Sequence, residues 1–193
     1  MGAGRVIAGT ARGIRLLAPG EGTRPFGDRV KQAVFAIVEP DLDGAVVLDL
    51  CAGSGAAGIE ALSRGAARAV FVERDADAVR IIRENLRRAA VEDRAVVVCR
   101  DVLRYLAGAE PEWPADLVVL DPPYTETGLR DAALALLGAP AGTGRALVLR
   151  AGGRVVATHR WREPPATDVG LLASERVRRF GEKAVSLYRR REG

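Results

Sequence analysis

Asp121, Pro122, Pro123 and Tyr124 place a carboxylate, a rigid backbone carbonyl and an aromatic ring within four consecutive residues. They follow the apolar run 117–120, which is typical of a parallel strand buried on both faces. Because proline lacks an N–H donor and restricts the residue before it, the strand must end abruptly there. Asp121 and the Pro122 carbonyl could accept hydrogen bonds from a planar exocyclic NH2 group while Tyr124 stacks on its ring. The segment predicts a nucleobase site, although a proline turn that merely ends a strand would contain the same residues.

A second motif, 53–58, has the glycine spacing G-x-G-x-x-G and follows the predicted strand 45–50. Glycines there permit a tight turn and let a ligand approach the backbone, but the spacing alone is a weak signal. Glu73 ends the next predicted strand, 69–73, where an acid can bind a ribose diol. Asp49 would oppose a pyrophosphate and favour a cationic ligand. The pattern favours S-adenosylmethionine (SAM), which carries a sulfonium and an ammonium, over a dinucleotide.

The rest of the chain reads as alternating strands and helices behind an opening hairpin at about 5–17 and a helix capped by Asp28. The alternating elements are predicted at 45–50, 56–64, 69–73, 77–90, 95–99, 101–108, 116–120, 128–137 and 145–149, and two closing strands at about 171–191. This order predicts an α/β fold with a doubly wound, mostly parallel seven-stranded sheet.

Ligands of such sheets bind at the carboxyl ends of the strands, beside the switch in strand order. Asp49, Glu73, Asp101 and Asp121 all fall at or just after predicted strand ends, so we expect them on one rim. Asp101 could instead cap a helix.

The stretch 152–165 has no clear pattern and is interpreted as a lid or a solvated loop. It contains the single histidine, His159, which we expect at the surface. A histidine-based acid–base mechanism is therefore not indicated.

Composition restricts the class of protein. The 193 residues suit one domain with a full-sized core, and 48% hydrophobic and 28% charged residues are ordinary for a globular chain. No long apolar run or signal-peptide pattern points to a membrane or to export. The two cysteines, Cys51 and Cys99, lack metal or redox spacing and are predicted to be buried free thiols. We expect a cytoplasmic monomer without a metal.

Charge is distributed unevenly. The net charge is +4 over residues 1–31, −6 over 32–149 and +6 over 150–193. Basic ends around an acidic centre favour the capture of a polyanion beside a cation-binding pocket. Arg5, Arg12 and Arg15 are the first candidates for phosphate contacts, although arginine at a strand edge also discourages aggregation.

The motifs 49–58 and 121–124 together resemble those of class I SAM-dependent methyltransferases, and more narrowly the RsmD-like family of small-subunit ribosomal RNA guanine-N2 methyltransferases. The resemblance covers nearly the whole chain and extends to the strings 5–9, 12–16, 23–25, 28–35, 61–66, 84–86, 180–183 and 187–188. The chain departs from the family at Phe26, where a second threonine is common, and in 152–168, which is longer and richer in Gly, Pro and Arg.

The resemblance implies SAM as methyl donor, S-adenosylhomocysteine as product, and ribosomal RNA or a small-subunit assembly particle as partner. Its catalytic residues would be Asp121, Pro122 and Tyr124. We predict cofactor binding by Asp49, Ala52, Gly53, Ser54, Gly55, Glu73, Arg74, Asp101 and Val102, and RNA binding by Arg5, Arg12, Arg15 and Arg24. Residues 1–40 are expected to form a hairpin and helix extension that contacts RNA, and residues 41–193 the methyltransferase domain.

Two other functions stay open. An Asp-Pro-Pro-Tyr segment on the same fold also serves amino-methylation of DNA or other RNA, although a chain this short has no room for a target-recognition domain. A nicotinamide-dependent oxidoreductase could use the glycine motif, but Asp49 and the lack of a hydride-transfer partner residue argue against it.

Overall fold

The computed structural model describes residues 2–20, 27–108, 113–140 and 148–193. Its helices are α1 (Asp28–Val38), α2 (Ala56–Ser63), α3 (Ala76–Ala89), α4 (Val102–Gly108) and α5 (Thr127–Leu137). Its strands are β1 (Gly2–Arg5), β2 (Arg15–Leu17), β3 (Val46–Leu50), β4 (Arg68–Glu73), β5 (Ala95–Cys99), β6 (Ala115–Leu120), β7 (Leu149–Arg160), β8 (Asp168–Val169), β9 (Leu172–Phe180) and β10 (Lys183–Arg190). Most of the predicted elements are present, with bounds shifted by one or two residues. The strand predicted at 145–149 is the exception: β7 begins at Leu149 and runs to Arg160, and 145–147 lie outside the described residues.

Within the described residues, eight strands form one sheet in the order β5-β4-β3-β6-β7-β10-β9-β8. The first five are parallel, and β10 runs antiparallel to both of its neighbours. The predicted α/β fold with a mostly parallel sheet is therefore confirmed. The predicted count of seven strands is wrong by one, because the two-residue β8 pairs with the start of β9.

The strand order reverses between β3 and β6, because β3 is hydrogen-bonded to β4 on one side and to β6 on the other. Both strands are apolar runs with side chains buried on both faces of the sheet, such as Val47, Leu48, Leu117 and Val118. Two hydrophobic clusters cover these faces, one including residues of α1, α2 and α3 and the other residues of α4 and α5. The loops after β3 and β6 thus leave the sheet at its switch point.

The predicted N-terminal hairpin is present as the antiparallel pair β1 and β2. A fully buried acid on α2 holds it: Glu60 accepts hydrogen bonds from the Ile7 and Ala8 amides at 2.8 and 3.1 Å. The buried ammonium of Lys31 lies 3.5 Å from Glu60 and donates to the Arg5 carbonyl at 2.6 Å. The hairpin is therefore anchored by a buried ion pair in which Glu60 also accepts from the Arg64 guanidinium at 2.8 Å.

The expected helix cap at Asp28 is wrong. Gly27 occupies the cap position of α1, and Asp28 is its first helical residue. The Asp28 carboxylate instead accepts a hydrogen bond from the Arg5 amide at 3.3 Å. This acid joins the helix to the hairpin.

The interpretation of 152–165 as a lid or loop is wrong over most of its length. β7 runs through it to Arg160, between β6 and β10. The register with β6 shifts near Gly152, whose φ is +74°, and glycine accommodates the bulge. The glycine-rich start of β7 is typical of a loop in sequence, although the centre of the strand, Val155–Ala157, is buried.

His159 is not at the surface but 1% exposed in β7. Its Nδ1 donates to the Arg160 carbonyl at 2.7 Å, which leaves Nε2 to accept from the Ser186 hydroxyl at 2.9 Å. Burial lowers the pKa of His159, so the neutral ring fits these two bonds. It is a satisfied core residue.

The prediction that both thiols are buried is wrong for Cys99, which is exposed; Cys51 is half-buried. Cys99 ends β5, which lies at the edge of the sheet. Across the described ranges, no helix combines the length and apolarity needed to cross a membrane.

Candidate active site

The turn between β3 and α2 is built by residues with left-handed backbone. Cys51, Gly53 and Gly55 have φ values of 60°, 55° and 76°. This conformation is costly for a residue with a Cβ, so Cys51 marks a tightly constrained turn. A Cβ at Gly58 would lie 2.3 Å from the Phe71 ring, so the third motif glycine permits close packing of α2 on the sheet.

The acids around this turn are tied to backbone amides. Asp49 accepts from the Gly58 amide at 2.8 Å, and Glu73 accepts from the Gly53 amide at 2.9 Å and the Asp75 amide at 3.0 Å. The two carboxyl groups therefore fix the turn and present it toward the space above the strand ends. We call residues 49–55 with Glu73 and Asp101 the glycine side.

Asp49 is almost fully buried, and burial raises its pKa to about 8, while the Gly58 hydrogen bond opposes the shift. Asp121 and Glu73 raise it further by charge repulsion. The negative charge expected at Asp49 is therefore largely neutralised by a proton at pH 7. It develops when the pH rises or when a cation approaches.

Asp101 caps α4, as the alternative interpretation of this acid predicts. Its carboxylate accepts from the Arg104 amide at 3.0 Å, and its carbonyl accepts from the Tyr105 amide at 2.9 Å. Arg74, at the end of β4, extends outward and forms a 2.7 Å ion pair with Glu126. That exposed pair joins the glycine side to the loop after β6.

The loop after β6 holds the second carboxyl group of interest. The Asp121 amide reaches the Leu50 carbonyl at 3.4 Å, which keeps the chain on the sheet as it leaves β6. The hydroxyl of Thr158 on β7 donates to Asp121 Oδ1. Burial raises the pKa of Asp121, while Thr158 and the charge of Lys183 lower it. Asp121 is thus a half-buried acid with a cation beside it.

Lys183 begins β10 directly opposite Arg160, the last residue of β7. Its ammonium lies 5.2 Å from the centroid of the Tyr124 ring, within range of a cation–π interaction. Arg160 is exposed and lies 3.5 Å from Glu163. We call residues 121–125 with Thr158, Arg160 and Lys183 the proline side.

The glycine and proline sides face each other across one cavity of about 620 Å³, a size typical of small-molecule sites. Of the predicted cofactor and catalytic residues, those lining it are Asp49, Ala52, Gly53, Ser54, Glu73, Arg74, Asp101, Val102, Asp121, Pro122 and Tyr124. Gly55 is the exception: its α-carbon faces Phe71, Ile82 and Ile59, and it serves as the cap of α2.

The sequence did not reveal the members of the lining that come from distant elements. They are Ala18 and Pro19 after β2, and Arg160 and Lys183 in the C-terminal strands. Asn85 was also missed as a positioning residue. Its buried side chain exchanges hydrogen bonds with the Leu17 backbone and donates to the Ser54 carbonyl at 2.9 Å. It ties the end of the hairpin to the glycine turn.

Three of the four predicted RNA-binding arginines lie on or beside the hairpin. Arg5, Arg12 and Arg15 are exposed, and Arg5 lies 3.8 Å from Asp28. Arg24 lies outside the described residues. Arg12 and Arg15 form no ion pair within 2–20, 27–108, 113–140 and 148–193, so their charges face solvent.

Two further observations concern the thiol of Cys51 and the clustering of possible metal ligands. Burial, and then the charges of Glu73 and other acids, raises the pKa of the Cys51 thiol well above its usual range, so it is not a thiolate nucleophile. Within the described part of the chain, no three Asp, Glu, His or Cys residues cluster closely enough to hold a metal ion.

Comparison with known proteins gives a family match. The family model described as "conserved hypothetical protein 95" matches residues 4–189. A candidate rRNA methyltransferase of Bacillus subtilis is 40% identical over 190 residues, covering 97% of this chain and 99% of the relative. Ribosomal RNA small subunit methyltransferase D of Haemophilus influenzae is 37% identical over 135 residues, 69% of each chain.

Solved structures agree in fold. A candidate methyltransferase of Escherichia coli has a TM-score of 0.85 at 29% identity, over 98% of this chain and 99% of that one. An RNA methyltransferase of Salinibacter ruber, solved with S-adenosylhomocysteine, has a TM-score of 0.65 at 23% identity, over 88% of this chain and 95% of that one. The relatives are methyltransferases, which argues against the oxidoreductase alternative.

Proposed function

The chain belongs to the family described as "conserved hypothetical protein 95", the RsmD-like family that its motifs resemble, and we propose that it methylates the exocyclic N2 amine of a guanine in 16S ribosomal RNA with SAM as the donor. One observation carries the proposal: a single cavity joins the glycine turn to the Asp121–Tyr124 loop, with cations at its rim. The Bacillus subtilis and Haemophilus influenzae relatives are ribosomal RNA methyltransferases by name, and the second is named for the small subunit.

The glycine side suits SAM. Gly53 has no side chain, and a Cβ there would meet nothing closer than the Cys51 carbonyl at 3.9 Å, so a ligand can reach the backbone. Glu73 lies at the strand end from which an acid can bind ribose hydroxyls. Asp49 offers a carboxyl group to a cationic ligand. SAM supplies an electrophilic methyl group on its sulfonium.

The proline side suits a flipped guanine. The Asp121 carboxylate and the Pro122 carbonyl accept hydrogen bonds from the amine, which draws its lone pair away from the ring and toward the methyl group. Thr158 orients Asp121 by donating to Oδ1, so the other oxygen is available to the amine. Tyr124 provides the stacking face, and the base must leave its helix to reach it.

The remaining assignments follow from this chemistry. Residues 1–40 form an RNA-contacting extension and 41–193 the catalytic domain, in a monomer that works in the cytoplasm on ribosomal RNA or an assembly particle. Exposed Arg12 and Arg15 on the hairpin support this, because they lie beside the segment that delivers Ala18 and Pro19 to the cavity.

Nucleoside mass mapping of ribosomal RNA tests the proposal. RNA from cells with and without the gene is compared, and purified protein is then incubated with SAM and the unmodified RNA. We expect one N2-methylguanosine in the small-subunit RNA that is absent without the gene and restored by the wild-type protein but not by Asp121→Ala. Methylation of DNA, of another base or of no nucleic acid would overturn it.

A further inference from the structure

Four basic residues share one face of the C-terminal strands. Arg160 and Lys183 are directly opposite each other, and Phe180 is opposite Lys183 on its other side. Arg178 and Arg176 lie two and four residues before Phe180 along β9. Because side chains of a strand alternate between faces, all four basic side chains project to the same face. We call Arg160, Arg176, Arg178 and Lys183 the β9–β10 surface.

This surface is continuous with the cavity. Arg160 and Lys183 line it, and Lys183 reaches the Tyr124 ring. Thr158, two residues before Arg160 on β7, lies on the same face and contacts Asp121. A row of cations therefore runs from the outer part of the sheet to the catalytic loop.

The two outermost members are not used by the fold. Arg176 and Arg178 are exposed and form no ion pair with any of the described residues. In contrast, Arg154 on β7 and Arg189 on β10 are both paired with Glu175, at 3.0 and 2.6 Å. An arginine that supports the sheet is expected to have such a partner, so Arg176 and Arg178 are available to an anion from outside.

The position of β9 makes the surface accessible. β8 pairs only with Leu172 and Ala173, and no other described residues form a strand along the outer side of 175–180. Arginine at an exposed strand also discourages aggregation. Protection against aggregation does not require the row of cations to continue into the cavity. An anionic chain that places one of its residues in the cavity does require such a continuous row.

We propose that the β9–β10 surface binds the sugar-phosphate backbone of the RNA strand next to the target nucleotide and leads that strand into the cavity. The inference rests on the proposed function and adds a second contact surface to the N-terminal hairpin. Phosphates meet Arg176 and Arg178, while Lys183 and Arg160 hold the strand where the base turns toward Tyr124.

Three double variants with equal loss of charge test the inference. They are Arg176→Gln with Arg178→Gln on β9, Arg12→Gln with Arg15→Gln on the hairpin, and Arg83→Gln with Arg88→Gln on α3. Arg83 and Arg88 are also exposed and without an ion pair in the described ranges. Their helix, α3, packs on β4, β5 and β2, at the end of the sheet opposite β9, so this pair is the control for the β9 variant. Glutamine keeps most of the side-chain length.

Binding of unmodified small-subunit RNA is measured across a salt titration. We expect the β9 variant to flatten the slope of log affinity against log salt by roughly 0.7 to 0.9 for each lost contact, and the α3 variant to leave it unchanged. KM for RNA should rise while kcat at saturating RNA and affinity for S-adenosylhomocysteine stay the same. An unchanged affinity for S-adenosylhomocysteine shows that the variant is folded, and an unchanged kcat shows that the proposed function holds.

A β9 variant that binds and methylates RNA with the wild-type salt slope would overturn the inference, and leave the proposed function intact. Hydrogen–deuterium exchange on the wild-type protein gives a second measurement that needs no variant. RNA should protect 175–183, and protection restricted to the hairpin would also overturn the inference. A wild-type protein that methylates no RNA would refute the proposed function instead.

Discussion

The two sides of the cavity are built in different ways. On the glycine side, the carboxylates of Asp49, Glu73 and Asp101 all accept hydrogen bonds from backbone amides no more than 20 residues away along the chain. On the proline side, Asp121 is oriented by Thr158 and influenced by Lys183, which lie 37 and 62 residues further along the chain. One side is fixed by local backbone, and the other by side chains that the sheet brings together.

This difference suggests a division of work. Because backbone amides fix the carboxyl groups of the glycine side, this side suits a cofactor shared by many methyltransferases. Side chains on the proline side can be exchanged without altering the turn, which suits an acceptor that differs between relatives. Changes on the proline side should therefore affect turnover, and changes on the glycine side should affect cofactor affinity.

The largest expected effect is from Asp121→Ala. It removes the proposed acceptor for the reacting amine, so kcat for RNA methylation should fall by roughly a hundredfold or more, as when one transition-state hydrogen bond is lost. Affinity for SAM should change little. Thr158→Val is the matched control, since it keeps the carboxylate and removes only its orienting hydroxyl, and it should give a smaller loss. Wild-type turnover by Asp121→Ala would refute the role.

Glu73→Ala should act on the other side. Loss of a charged hydrogen-bond acceptor should weaken SAM binding by about 1.5–3 kcal/mol in calorimetry, with kcat at saturating SAM much less affected. Because Glu73 also accepts from the Gly53 and Asp75 amides, thermal unfolding must be compared as well. Glu73→Gln keeps an acceptor for one of these amides and should bind SAM with intermediate affinity. Binding of NAD without binding of SAM would contradict the whole assignment of the glycine side.

Tyr124 tests the proline side through substrate affinity. Tyr124→Ala removes a stacking face and should weaken RNA binding by about 1–3 kcal/mol, while SAM affinity stays constant. Tyr124→Phe retains the ring and the contact with Lys183, and should bind RNA nearly as well as the wild type. Equal losses in the two variants would mean that the ring does not stack on a base.

The glycine side was largely predictable from sequence, because its members are close neighbours in the chain or end adjacent parallel strands. The spacing of residues 49–58 and the acid at 73 were enough to place them together. Gly55 does not line the cavity: its left-handed conformation serves the cap of α2, and its packing against Phe71 and Ile82 does not follow from the glycine spacing.

The proline side was only half predictable. Asp121, Pro122 and Tyr124 are contiguous, but Thr158 and Lys183 reach them through pairings of β7 with β6 and β10 that no local pattern specifies. The glycines at the bulge near Gly152 hid the strand pattern of β7. His159, which lies in β7, was therefore expected at the surface although it is buried. Cys99 was misplaced for a related reason: the sequence indicates a strand but not that this strand lies at the sheet edge.

The smallest expected effect concerns Asp49, whose pKa is raised to about 8 chiefly by burial. A raised pKa in the folded state means that the ligand-free protein loses stability as pH rises from about 4, the ordinary value, through 8.

Binding of cationic SAM should favour the ionised carboxylate of Asp49 and release a proton, so SAM affinity should increase by up to about tenfold between pH 7 and 9. S-adenosylhomocysteine, which lacks the sulfonium, should show a weaker trend. Asp49→Asn can still accept from the Gly58 amide and should abolish both pH dependences in calorimetry and thermal unfolding. A SAM affinity that does not vary with pH in the wild-type protein would mean that Asp49 only supports the turn, and that the ligand's charge is met by Glu73 or Asp121.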